Sequence, residues 1–458
     1  MTDERVQGIP EQLRERWSLL PLAHNVDVLV VGGGPAGCAA AIAAAREGAN
    51  TLLVEQLGFL GGMGTAGLVP AFCPFTDKQK IITRGLGLEI LEEMKAGMPH
   101  IPANAHDWVP IDPEALKVIY ERRVTDAGAR ILFFTRFVDA PASEDGTISS
   151  LVVQNKSGLQ RIEAAVVIDC TGDADVAVAA GASFDKGDPQ TGALQPCTLC
   201  FILAGIDNAR LQKWLWADNA KNLLLKPAIA AAKAAGDLNI PEEGANVAYQ
   251  SESTIGLNFS HVYDVDATDA DQLSKAHIEG RQLIRHLTDF IRKYCPGCEN
   301  AYLVSSGVQI GVRETRRITG EYTLSLDDYL GRRSFPDEIA RSAYYIDIHL
   351  SQEQWAQRKG PKSDWEPEQF QYKPGESHGI PYRCLIPRNV ANMLVAGRCI
   401  STDRTVQGAV RTMPNCLAMG EAAGCAAAIV TKQHAGRVRE LDTTALRDRL
   451  RHWGQYLP

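Results

Sequence analysis

An acid and an imidazole two residues apart, Asp347-Ile348-His349, form the most direct chemical pair in this sequence. On an extended strand alternate side chains share a face, so the carboxylate can orient the ring as a proton acceptor. The competing reading is a histidine satisfied inside the core. Three arginines within five residues, Arg313, Arg316 and Arg317, are the second candidate. As a strand this stretch puts Arg313 and Arg317 on one face and Arg316 with Glu314 on the other. Either they make salt bridges on a solvated face, or one offers a planar positive charge to an anionic substrate group. Tyr382 and Arg383 are further candidates for the substrate side, with packing beneath a covering domain as the alternative. Two Cys-x-x-Cys pairs are weaker signals. Cys197 and Cys200 fall on an apparent strand, where residues three apart point to opposite faces, while Cys295 and Cys298 have redox-motif spacing across a turn. No metal centre is expected from either.

These groups need something to act on, and the stretch from Asn25 to Thr65 makes room for it. Val26 to Val31 is rich in β-branched residues, as a parallel strand buried on both faces would be. Gly32, Gly34 and Gly37 then give G-x-G-x-x-G: a tight turn, close approach to a pyrophosphate, and close packing of the next helix on the strand. Pro35 opens that helix, Ala36 follows it, and the first amides face the phosphates. The helix is expected over 36–47, ending at Gly48, and Thr51 to Val54 form the next strand. Glu55, followed by Gln56, stands at its carboxyl end to accept ribose hydroxyls. Beyond it, Gly61-Gly62-Met63-Gly64-Thr65 resembles the second glycine turn of glutathione-reductase-like and succinate-dehydrogenase-like FAD proteins, where the chain runs beside the flavin diphosphate and ribityl. On that resemblance the dinucleotide is FAD rather than NAD.

Composition fits such an enzyme. The 458 residues allow two or three domains, and 45% apolar with 22% charged residues is ordinary for a soluble globular chain. A net charge of −8 without a basic block argues against nucleic-acid or anionic-membrane partners. The most apolar stretch, Val26 to Ala45, is broken by glycines and a proline, so no integral membrane segment and no secretion signal are expected. Eleven scattered cysteines suit a reducing cytoplasm.

Residues 1–24 read as an N-terminal arm, with a short helix around 11–17, packing on the domain or on a neighbouring subunit of a homo-oligomer. Helices are expected over 87–96 and, capped by Asp112 with Pro113 and Glu114, to about Ala127. Arg130 to Val138, Thr147 to Gln154 and Leu159 to Ala164 alternate as an antiparallel meander leading into a buried strand, Val166 to Asp169. Adenine would lie along the backbone at Phe137-Val138. Cys170-Thr171-Gly172-Asp173 resembles the signature found late in FAD domains, where small residues pass near the adenosine half. A third buried strand ends at Gly397, beyond which FAD proteins place the ribityl and usually carry Asp; here Arg398 stands instead. Arg411 precedes a helix over 414–430 whose N-terminal turn is directed at the flavin pyrimidine edge.

In order and number, the motifs GGGPAG with Glu55, GFLGGMGTAG, CTGDAD, GVRETRRITGEYTL, YYIDIH, IPYRCLIP, NMLVAGRCIS and GAVRTMPNCLAMGEAAG resemble the FAD-dependent oxidoreductase family. This is a mostly bacterial group of two-dinucleotide-binding flavoproteins related to the succinate dehydrogenase and fumarate reductase flavoprotein fold. The resemblance implies an α/β architecture: a Rossmann-like FAD-binding domain, its parallel sheet crossed by a β-meander, in two pieces over 25–205 and 376–432. An α+β cap or substrate domain is inserted over 206–375, with amphipathic stretches at 219–236 and 269–294, and a tail covers 433–458. Cys73 and Cys399 lie in segments near where the isoalloxazine should run, which makes a covalent cysteinyl flavin conceivable, but buried thiols are usually inert and non-covalent FAD is expected. The expected reaction passes a hydride between a small polar substrate, anionic if the arginines serve it, and flavin N5. No second G-x-G-x-x-G is present, so oxygen, a quinone or a carrier protein is the expected electron acceptor. The alternatives are an NAD(P)H-using monooxygenase and a non-catalytic flavin-carrying subunit of a redox complex.

Overall fold

The computed structural model describes residues 9–357 and 368–458. The start of the expected arm, 1–8, and ten residues of the expected cap, 358–367, lie outside them. The β-branched run extends N-terminally into β1 (Leu22–Val31), followed by α1 (Pro35–Arg46) and β2 (Thr51–Val54). After α2 (Gly85–Ala96) comes α3 (Pro113–Asp126), whose cap Asp112 accepts the amides of Glu114 and Ala115. The stretch expected as one strand over 130–138 is two: β3 (Arg130–Leu132) pairs in parallel with β2, and β4 (Arg136–Asp139) opens the meander. The break is at Phe134, whose φ is 51°. Its ring sits over Gly58, where any Cβ would meet it at 2.3 Å.

Conversely, two expected strands are one. β5 (Ser150–Asn155) pairs antiparallel with the first half of β6 (Gly158–Asp169), whose second half runs between parallel neighbours. The sheet order is β3-β2-β1-β6-β5-β4, and a late strand described below also joins β6. The N-terminal arm packs on this same domain: the Trp17 indole donates to Asp139 at 2.9 Å and Arg14 pairs with that carboxylate at 2.8 Å.

A second hydrophobic core, from Cys197 to Ile310, forms the cap. Its sheet joins β7 (Phe201–Ala204), β8 (Asn246–Ser251), β9 (Thr254–Asn258) and β10 (Tyr302–Ser306) in the order β8-β9-β7-β10, backed by α4 (Ala270–Tyr294). The cap is therefore shorter than 206–375, because buried residues from Leu324 to Ile386 join the core of the FAD-binding domain. The amphipathic stretch at 219–236 is interrupted at its start: Asp218, Asn219, Ala220, Leu224 and Leu225 are all left-handed, and Lys226–Ala234 is the regular helix within it.

The chain returns as β11 (Met393–Val395) and α5 (Met413–Gln433). Val31 of β1 and Val395 of β11 both align with Asp169 of β6, so the three loops that follow these strands emerge side by side at one sheet edge. Above that edge α5 crosses α1 at very close range. A Cβ on Gly420 would stand 2.0 Å from the Ala36 carbonyl oxygen, and one on Gly424 would stand 2.1 Å from that of Ala40. Only glycine against alanine lets the two backbones approach so closely. The apolar α5 is long enough to cross a membrane, but 94% of its most apolar window is buried inside the protein, as the core helix of a folded domain.

Candidate active site

One cavity of about 2380 Å³ runs from the edge of the sheet to the cap, more than twice the volume of an ordinary ligand pocket at roughly 1,000 Å³. At its nucleotide end the Gly32 turn has φ 99°, and α1 begins at Gly34 with no side-chain cap, leaving its first amides for a ligand. A Cβ at Gly34 would meet nothing nearer than 4.0 Å, whereas one at Gly37 would strike the Gly32 carbonyl oxygen at 1.8 Å. Gly34 thus faces open space and Gly37 packs the helix on the strand. Glu55 Oε2 accepts the Gly33 amide at 2.6 Å and Oε1 accepts the Leu57 amide at 2.8 Å. Burial raises its pKa, against the pull of these amides. An uncapped helix, an unfilled glycine and a carboxylate fixed by backbone fit a dinucleotide.

Most of the residues expected to hold the cofactor border this cavity: Gly32, Gly34, Pro35, Ala36, Glu55, Gln56, Gly62, Met63, Val138, Thr171, Gly172, Asp173, Gly397, Arg398 and Arg411. Gly37, Gly61 and Thr65 do not. Gly61 (φ 108°) and Thr65 instead build the turn, the Thr65 hydroxyl bonding the Leu60 carbonyl at 2.7 Å. Thr171 turns its hydroxyl back to Asp169 at 2.7 Å. Arg398 is ion-paired to Asp173 at 2.7 Å, which occupies the guanidinium with the neighbouring loop. Arg316 pairs likewise with Asp175 at 2.7 Å.

At the cap end, the segment carrying Asp347 and His349 is irregular and is not a strand; the strand before it stops at Ser342. The two side chains meet all the same, with His349 Nε2 3.3 Å from Asp347 Oδ1. Arg411 grips the same acid, Nη2 lying 2.9 Å from its carbonyl and 3.3 Å from Oδ2. Burial disfavours the Asp347 carboxylate, but His349, Arg411 and Arg313 outweigh it and hold its pKa well below the usual range. Burial, then the charge of Arg313, pushes His349 down to about 3. The ring is therefore neutral. With Nε2–H given to Asp347, its Nδ1 remains a proton acceptor.

The arginine trio divides differently from the expected strand faces, because only Arg316–Ile318 is strand. Arg313 and Arg316 line the cavity, whereas Arg317 points away and pairs with buried Glu314 at 2.7 Å. Tyr382 is corrected outright: it is buried in a 3-10 turn away from the cavity, its hydroxyl donated to the Val438 carbonyl at 3.0 Å. Arg383 pairs with Asp337 at 2.8 Å. All eleven cysteines are free thiols. Cys73 lines the cavity with its pKa raised to about 12 by burial, and Cys399 is fully buried.

Three lining groups escaped sequence reasoning. Glu242 and His261 come from cap loops, with His261 Nδ1 2.5 Å from Glu242 Oε1, and Tyr344 lies with its hydroxyl 3.3 Å from Asp347 Oδ2. Glu242 and His261 are nineteen residues apart with no periodic relation, so no spacing rule could pair them. Tyr344 stood inside a quoted motif without a role.

A family model described as FAD dependent oxidoreductase matches residues 27–450. Thiamine thiazole synthase of Methanococcus aeolicus is 30% identical over 214 residues, covering 44% of this chain and 69% of that protein. Urocanate reductase of Eggerthella lenta is 56% identical over 41 residues, 9% of this chain and 7% of that protein. Among solved structures, a geranylgeranyl bacteriochlorophyll reductase-like protein from Thermoplasma acidophilum covers 95% of this chain and 92% of its own at 12% identity, with a TM-score of 0.45. A p-nitrophenol 4-monooxygenase from Pseudomonas putida covers 95% and 87% at 11% identity, also with a TM-score of 0.45.

Proposed function

The chain belongs to the FAD dependent oxidoreductase family, and on that premise we propose that it passes a hydride between a small polar substrate carrying an anionic group and flavin N5. FAD, when bound, supplies the two-electron chemistry. Gly34, the first turn of α1, Glu55 and the loops after β6 and β11 would hold its dinucleotide part. The observation that carries the substrate reading is Arg313. Its side chain is buried, and its guanidinium is met by the Pro196 carbonyl at 2.8 Å, the Thr198 hydroxyl at 2.9 Å and the Asn258 amide oxygen at 3.5 Å. All three are neutral acceptors. Among the described residues no carboxylate lies within ion-pair distance of it. Asp347 acts on Arg313 only through space; a buried cation without a counter-ion in contact is costly, and an anionic ligand in the same cavity would supply one.

Beside it, neutral His349 takes the proton that a hydroxyl or amine loses as its carbon is oxidised, and Asp347 steadies the resulting imidazolium. The free thiols support placing the enzyme in the cytoplasm, and the single G-x-G-x-x-G supports oxygen, a quinone or a carrier protein as electron acceptor.

The test is an anaerobic screen of the holoenzyme with hydroxy acids, amino acids, cyclic amines and sugars, read by bleaching of the flavin. A carboxylate donor should bleach it, and Arg313→Met should raise that donor's KM with the flavin spectrum unchanged. Bleaching by uncharged sugars alone, or by none of these donors, would overturn the reading.

A further inference from the structure

The acid–imidazole pair at Asp347 and His349 faces a second one brought by the cap. The His261 ring lies edge-on to that of His349, with centroids 4.8 Å apart and planes at 70°. His261 Nδ1 is 2.5 Å from Glu242 Oε1. Glu242 is buried and also accepts the Tyr263 hydroxyl at 2.7 Å and the Ser260 hydroxyl at 3.1 Å. The order in space is carboxylate, imidazole, imidazole, carboxylate, with both rings and Glu242 on the cavity wall. Glu242 and its partners belong to cap loops, whereas Asp347 and His349 belong to the segment that packs with the FAD-binding domain.

From this juxtaposition, and resting on the function proposed above, we infer that His261 and Glu242 form a proton exit: the proton taken up at His349 is relayed by a water in the cavity to Nε2 of His261 while the Nδ1 proton of His261 moves to Glu242 Oε1. One proton enters His261 and one leaves it, so the ring ends neutral in its other tautomer. The half-buried Tyr263 marks the way from Glu242 to solvent.

The charges around the rings favour passage over storage. Facing them are Arg313, Arg411, Asp347, Glu242 and Tyr263. Burial and Arg313 lower the pKa of both imidazoles, while Glu242 opposes this at His261 and Asp347 opposes it at His349. Neither ring therefore retains a proton for long, and a carboxylate waits at the far side. A Glu–His pair kept only to pin the cap would not need its ring edge turned to a second imidazole within an open cavity.

The experiment needs no substrate at first. Holoenzyme labelled with ¹⁵N-histidine is titrated by NMR as wild type, Glu242→Gln and His261→Asn, with FAD content and melting temperature as checks on folding. In the wild type each of the two histidines should sense the other's protonation, and His261→Asn should move the His349 midpoint upward. Glu242→Gln should shift the tautomer of His261 away from Nδ1–H. Independent titrations, or a His349 midpoint that stays in place without His261, would overturn the relay. Should His261→Asn lose FAD, His261→Gln is read in its place.

With a bleaching donor in hand, His261→Asn should slow flavin reduction by about 10- to 100-fold, within or just below the range for a lost acid–base group, leave the donor's KM in place and recover with added imidazole. A wild-type rate in His261→Asn beside a slow His349→Ala overturns the relay alone. Wild-type rates in both variants overturn the proposed function itself.

Discussion

Arg313 sets the working state of its neighbour. Burial, and then the positive charge beside it, penalises the imidazolium, so His349 is pushed down to about 3 and rests neutral near pH 7. His349→Ala should therefore leave the flavin spectrum and the melting temperature nearly unchanged while slowing reduction by about 10²- to 10⁴-fold. Stopped-flow reduction under anaerobic conditions measures this, and a wild-type rate would remove the histidine from the chemistry. The pH dependence follows in sign. In the unfolded chain His349 takes a proton near 6.5, but the folded state resists until about 3, so its contribution to stability is present above 6.5 and is lost as pH falls through that interval. Buried His378, also pushed down to about 3 by burial and then by Arg341, adds in the same direction. Urea midpoints should drop from pH 7 to pH 5, and the drop should shrink in Arg313→Met, where His349 can accept its proton more readily. An equal drop in both proteins would show that Arg313 does not govern the ring.

Elements place these residues, and the glycines decide how closely. At Gly34 the missing Cβ leaves open space where α1 begins, so Gly34→Val should abolish FAD retention while the far-UV spectrum of the apoprotein is kept. At Gly424 the missing Cβ is filled by the Ala40 backbone, so Gly424→Val must push α5 off α1 and should lower stability by at least the ~1–3 kcal/mol of an overpacked core. A melting temperature equal to that of the wild type would contradict this contact. α5 also carries Glu421, buried with one oxygen unpartnered and the other meeting the Leu86 amide and Gln455; burial raises its pKa to about 7. Its folded-state pKa is raised, so stability falls as pH rises from 4.5 to 7. Glu421→Gln should gain on the wild type between pH 5 and pH 8, by on the order of 3 kcal/mol at the limit. The glycine turns were legible in the sequence because their chemistry is local. Asp347 and His349 were legible as a pair because they stand two residues apart, although the strand expected to carry them is absent. The break at Phe134 was not legible, because it depends on Gly58, distant in sequence, and neither was the true sorting of Arg313, Arg316 and Arg317, which follows from a strand only three residues long.

At the scale of the whole molecule, the cavity draws its walls both from the FAD-binding domain, with a hydrophobic core on each face of its sheet, and from the cap core. The sequence showed the outer frame of this arrangement, but it set the cap too long, since the apolar residues from Leu324 to Ile386 give no sign of which core they will join. Glu242 and His261 could be found only once the cap had folded against its partner. Charges at the nucleotide end bind the frame together: Arg398 to Asp173 and Arg316 to Asp175 tie the loop after β11 and the strand that follows the cap to the loop after β6. The cavity thus has fixed walls and a ligand-sized interior, and a cofactor that binds only the folded state adds its binding free energy to folding. Stabilisation grows as the logarithm of free FAD over its Kd, about 2.7 kcal/mol at a hundredfold excess. Apoprotein reloaded with FAD should therefore melt higher as FAD is added, and FMN, which lacks the adenosine half that Glu55 and the loop after β6 would hold, should give a much smaller rise. Denaturing the yellow holoenzyme should release intact FAD and leave a polypeptide of unmodified mass, because Cys73 is held as a thiol by its raised pKa and Cys399 is fully buried. Equal stabilisation by FMN would show that the nucleotide end does not read the adenosine, and a mass increased by one FAD would show that one of these thiols has reacted after all.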